Sequence, residues 1–249
     1  MSTTQTSAWK DLLPGVIAAG LLAAAERFLL ETSSLAVPFA GSLAASTVYF
    51  ADHRVRPNGK ATPTTWAIIL LSSAVLLWSV TQSEKFDLIR TGLFFFLSLA
   101  YVLNLPGTKT RLQDHPWLRV IMVALGWGCI PLILKGIPLD VRTLGFVIGT
   151  AGLFFSTVFW SDLNDQQEDL KQARVTPVQF LSSKHTHRLI FLGYGGCIIG
   201  YLVVGVALLS LPAFTGLLLM LLKKNDVLIR WADILLLWPG VVALASQFI

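Results

Sequence analysis

Charge, cysteine and histidine are all scarce in this chain of 249 residues, and each scarcity removes a class of protein. Charged side chains make up only 13% of it, too few to solvate the surface of a soluble domain this long. The two cysteines, Cys129 and Cys197, lie singly in apolar runs; they lack metal-ligand spacing, argue against a disulfide, and read as small core residues. Of the four histidines, His53 and His115 are isolated. His185 and His187 form an HxH pair with no nearby cysteine or third histidine, the pattern of loop residues before a helix rather than of a zinc site. No glycine-rich phosphate loop, nucleophile elbow or haem-attachment motif occurs, and the first apolar run has no leader-cleavage pattern, so the N-terminus reads as retained.

What is abundant is apolar surface. Hydrophobic residues make up 54% of the chain and the mean hydropathy is +0.68, which predicts an all-α integral membrane protein forming a single domain with no room for a large soluble one. The net charge of +5 then reads as membrane topology rather than as nucleic-acid binding. Apolar runs predict about nine transmembrane helices, at roughly 12–30, 34–51, 64–81, 86–103, 118–134, 139–160, 189–209, 211–222 and 231–248. The eighth run falls short of the ~20 residues that cross the hydrocarbon, so it borrows from its neighbours, tilts or is re-entrant. Glu26 and Arg27 read as a boundary pair beside the first loop. The second run is rich in Ala, Ser and Gly, and the seventh carries Gly193, Gly195, Gly196 and Gly200; both patterns favour close helix packing. Phe94, Phe95 and Phe96 suit a lipid-facing or packing surface, and an isoprenoid tunnel would also want them.

Basic residues orient the bundle. Loops after even-numbered spans carry Arg54, Arg56, Lys60, Lys109, Arg111 and eight further basic residues, against only Lys85, Arg90, Lys135 and Arg142 after odd-numbered ones. The even loops are therefore expected in the cytoplasm, with the N-terminus beside them and the C-terminus outside.

The sixth span delivers the strongest chemical signal at its far end, on the side of the even loops. Asp162, Asp165 and Asp169 fall at i, i+3 and i+7, which places them on one helix face, with Lys171 and Arg174 following. Carboxylates so close together suit a cation between them, and Mg²⁺ is the natural one because it bridges carboxylates to phosphate oxygens. The alternative is an acidic helix end solvated at the membrane surface.

The run Asp162-x-x-Asp165-x-x-x-Asp169, followed by Lys171 and by Arg174-Val175-Thr176-Pro177-Val178, resembles the second aspartate-rich motif of the UbiA superfamily of intramembrane prenyltransferases. The resemblance extends to about nine helices, to polar motifs after the second and sixth, and to Tyr101, Lys109 and Arg111 after the fourth. It implies a UbiA-like bundle in which Asp52, Asp162, Asp165 and Asp169 hold Mg²⁺. It also implies that Lys109, Arg111, Lys171 and Arg174 bind the diphosphate of a polyprenyl diphosphate. The prenyl group would pass to a lipophilic acceptor, with Asp52, Asp162, Asp165, Lys109 and Tyr101 as the catalytic set and Tyr49 or Tyr101 facing the allylic cation.

The first motif departs from that pattern. Asp52 matches one acidic position, but Arg56 stands four residues later where the superfamily carries a second acid. Arg54 and Arg56 are then either direct diphosphate ligands, since guanidinium forks match phosphate oxygens, or a sign of lost chemistry. Three readings follow: a prenyltransferase, a terpene cyclase of the same type, and a non-catalytic membrane subunit.

Overall fold

The computed structural model describes residues 9–55, 63–82, 84–103, 111–171, 175–223, 227, 232 and 234–248. Among these the chain is all-helical, with no strand beyond one isolated antiparallel bridge between Phe86 and Leu134. The α-helices delimited among the described residues are α1 Trp9–Leu29, α2 Ala36–Val55, α3 Pro63–Gln82, α4 Leu88–Val102, α5 Pro116–Cys129, α6 Val141–Lys171, α7 Ser183–Val204, α8 Leu211–Leu221 and α9 Trp238–Ala245. Backbone groups paired within each helix are what hydrocarbon requires of a spanning segment.

Four segments, Leu12–Leu29, Pro116–Ile133, Val141–Gln167 and Ser183–Val204, are long and apolar enough to cross a membrane. Shorter apolar helices, among the described residues, are Ala36–Phe50, Leu88–Ser98 and Ala207–Leu221. Large apolar side chains point outward from several helices, among them Leu70, Leu71 and Trp78 on α3 and Leu192 and Ile199 on α7. Exposure on this scale is what helices facing lipid show.

Glycine fixes the tightest contact. On α6, Gly145 and Gly149 meet Gly200 of α7 backbone to backbone and Gly152 meets Gly193 in the same way, so the two helices approach closely along a seam into which Val203 and Tyr201 also pack. Gly193 and Gly200 thus behave as their spacing predicts, whereas a Cβ on Gly195 or Gly196 would meet nothing within 4 Å. Two polar bonds cross the same interface, Thr150 Oγ1 with Tyr201 Oη at 2.9 Å and Ser156 Oγ donating to the Ile190 carbonyl at 3.0 Å. Gly20 of α1 and Gly240 of α9 form a second close approach, and Gly41 of α2 packs on Leu22 of α1.

Two local expectations are corrected, and one boundary moves. Helix α6 runs eleven residues past Trp160, so the acidic face occupies its last three turns. Glu26 is wholly buried while Arg27 is exposed and donates to Ser246, so the two are not a boundary pair. His185 and His187 lie in the first turn of α7, which Ser182 caps; His185 Nδ1 sits 2.7 Å from Ser182 Oγ and His187 Nδ1 2.7 Å from the Ser183 carbonyl.

Candidate functional site: an apolar cavity with an ionic end

Helices α1, α2, α4, α5 and α6 surround a cavity of about 650 Å³. Its wall is built from small side chains on α2 (Ala40, Gly41, Ala44, Ala45) facing large ones on α4 and α5 (Phe94, Phe95, Trp127), and that mismatch in size leaves the space. Phe94 and Phe95 of the phenylalanine triplet line it, while Phe96 points outward.

One end is closed by backbone pairing. Asp87 N donates to the Ile133 carbonyl at 2.9 Å and Lys135 N to the Lys85 carbonyl at 2.7 Å, which pairs Phe86 with Leu134, and the side chains of Phe86 and Ile133 line the cavity there. From Thr91 to Tyr101 along α4 the lining runs roughly 15 Å at the rise of an α-helix.

The other end is polar. Tyr101, Gln113, Arg119 and Ser161 line it, and Arg119 donates from Nη2 to Asp162 Oδ1 in an ion pair whose members are both buried. Arg119 is delivered by α5, which starts at Pro116 with its N1 proline and carries the guanidinium inward from its first turn. Its Nη1 is buried with no partner among the described residues. A buried guanidinium nitrogen in that state is a donor set for an acceptor oxygen.

Of the acidic face, Asp162 and Asp169 are buried and Asp165 is exposed, receiving hydrogen bonds from Asn164 Nδ2 at 3.0 Å and Ser161 Oγ at 3.4 Å. Among the described residues no three His, Cys, Asp or Glu side chains come together as a metal site. Lys171 is exposed at the last turn of α6. Arg111 is held by Asp114, to which its Nε and Nη2 donate at 3.1 and 2.8 Å and its backbone N at 2.8 Å. Arg56, Lys109 and Arg174, with the side chains of Asp52 and Arg54, lie outside the described residues.

Trp127 and Phe154 have no motif around them in the sequence. Trp127 stacks on Phe154 with ring centroids 4.7 Å apart and meets Tyr49 at 6.2 Å, so an aromatic wall flanks the cavity. Arg119 carried a signal, an arginine inside an otherwise apolar span, which requires a partner at that depth. Its partner, Asp162, lies 43 positions away on another helix, and nothing in the sequence pairs the two. No protein family, curated protein or solved structure matches this chain.

Proposed function

We propose that the cavity binds an isoprenoid diphosphate and that the protein is a UbiA-like membrane prenyltransferase. The observation that carries the reading is the junction of a long apolar cavity with one buried guanidinium that is half-committed to Asp162 and has a further nitrogen without a partner. An apolar tail with an anionic head fits that polarity, and the volume lies within the range of small-ligand sites.

The prenyl chain lies against Phe94, Phe95 and Trp127, and its diphosphate meets Arg119 at the polar end. Charge building on the leaving pyrophosphate is stabilised by the buried guanidinium. As the C–O bond breaks, the aromatic faces of Tyr49 and Trp127 stand beside the allylic carbon that becomes cationic. An acceptor nucleophile forms the new bond to that carbon and releases a proton. Mg²⁺ would supply further neutralisation of the diphosphate, with Asp165 as the exposed carboxylate of the acidic face. Under this reading the polar end faces the cytoplasm, as the distribution of basic loops implies.

A second reading has a specific observation behind it. Arg119 occupies the first aspartate of the acidic face, and a carboxylate so engaged is a poorer metal ligand, which suits a non-catalytic subunit that keeps the cavity and loses the reaction.

Calorimetry on the purified chain with geranyl, farnesyl and geranylgeranyl diphosphate, with Mg²⁺ and with EDTA, tests both. Mg²⁺-dependent binding with release of pyrophosphate only when an acceptor is added supports the transferase; release without an acceptor identifies a cyclase. Binding that ignores EDTA and releases no pyrophosphate supports the subunit. No binding of any of the three overturns the isoprenoid reading.

A further inference from the structure

A second cleft, of about 470 Å³, opens at the opposite end of the bundle from Arg119 and is lined by Arg27, Phe28, Glu31, Arg142 and Ser246. It forms where α1 ends, α6 begins and α9 ends. The two arginines are fixed by carbonyls of neighbouring helices. Arg27 donates from Nη2 to the Ser246 carbonyl at 3.1 Å and from Nε to Ser246 Oγ at 3.3 Å, and Arg142 donates from Nη2 to the Phe28 carbonyl at 2.9 Å. Each guanidinium has five N–H donors, so both keep donors for a ligand while their positions are set in advance. Glu31 supplies the one carboxylate of the lining and adopts a left-handed backbone, φ 55°, directly after α1. An L-residue held there is uncommon, and such positions cluster at binding sites.

We propose that this cleft is a binding site for the headgroup of an aminophospholipid. Two preset guanidinium groups suit a phosphodiester oxygen pair, and the carboxylate beside them suits a primary ammonium. Leu144 and Ile148 on α6 and Val241 and Leu244 on α9 are exposed on the helices that form the cleft, which gives the acyl chains of a lipid apolar surface to run along. Neither arginine takes part in the cavity at the other end, so the site stands whether or not the isoprenoid reading holds.

The test uses the whole chain in detergent, with adducts counted by native mass spectrometry and thermal melts followed in parallel. Added phosphatidylethanolamine is expected to give a one-to-one adduct and a raised melting temperature, with phosphatidylglycerol and phosphatidylcholine bound several-fold more weakly. Arg27→Gln with Arg142→Gln should reduce the adduct at least tenfold. Glu31→Gln should keep binding and erase the preference for phosphatidylethanolamine over phosphatidylglycerol. If the double variant does not fold, Arg142→Gln alone and Glu31→Gln carry the test, since neither removes the tie from α1 to Ser246. An adduct undiminished in the arginine variants overturns the site. Equal protection by inorganic phosphate or by glycerophosphoethanolamine overturns the lipid as ligand, and a preference unchanged in Glu31→Gln overturns the role of the ammonium.

Discussion

Arg119 of α5 and Asp162 of α6 form a buried ion pair at the polar end of the cavity, and it ties the two helices together there. Removing one member takes from the other its buried counter-charge, a change that costs about 3–5 kcal/mol in buried pairs, whereas replacing both with apolar residues of similar volume is often tolerated. Arg119→Leu and Asp162→Leu should therefore each lower the unfolding midpoint sharply, and the double variant should recover much of the loss. A thermal melt of the four proteins in one detergent forms the cycle; additive losses would show that the two groups are not coupled.

The seam between α6 and α7 makes an opposite pair of demands on glycine. A Cβ on Gly200 would collide with the backbone of Gly149, and neither helix can yield without separating from the other. A Cβ on Gly126 of α5 would meet nothing within 4 Å. Gly200→Ala is expected to destabilise by several kcal/mol, as overpacking in a rigid contact does, while Gly126→Ala should be neutral or gain up to about 1 kcal/mol of helix propensity. Unfolding in a denaturing detergent, with the two variants side by side, distinguishes them.

How much of this was legible follows from which interactions are local. Helix positions were, because a run of apolar residues reports its own burial in lipid; α3, expected at 64–81, spans Pro63–Gln82, and α4, expected at 86–103, spans Leu88–Val102. The apolar run of α6 ends at Trp160, but the helix continues to Lys171, because Gln, Glu and Lys sustain a helix in water about as readily as leucine does. The face shared by Asp162 and Asp169 was readable from their spacing. That Asp162 turns to an arginine was not, because nothing along the chain encodes which helix α6 packs against. The cavity was hidden for a related reason: Ala44 and Ala45 look like a packing stripe until the large residues opposite them are known.

Acid should loosen the segment before α5. Burial works against the ionised form of Asp114, but its hydrogen bonds from Arg111 and the charge of that guanidinium outweigh it and hold the carboxyl below its ordinary value of 3.8. A carboxyl depressed on folding contributes stability above its unfolded-state value and loses it as the pH falls through its folded-state value. The contribution is thus whole at neutral pH and is lost only below about pH 4. Asp114→Asn should melt earlier than the wild type at neutral pH, and the gap should close in acid. A gap that stays constant across that range would show that Asp114 contributes through shape alone.

Filling the cavity separates binding from folding. Ala44 lines the space on α2, and a phenylalanine there has room on its cavity side that a residue in a close-packed core lacks. Ala44→Phe should consequently change stability by less than the 1–3 kcal/mol typical of overpacked cores. Its effect on an apolar ligand is different, because the ring takes volume from the chain-binding wall opposite Phe94 and Phe95. Affinity for geranylgeranyl diphosphate should fall at least tenfold, and affinity for geranyl diphosphate should fall less, since the shorter chain uses less of the cavity. Calorimetry with both diphosphates and a melt of the same preparation measure the two effects together. Loss of both affinities with an unchanged melt would place the ring across the mouth of the site, and unchanged affinity for the longer chain would show that the isoprenoid lies elsewhere.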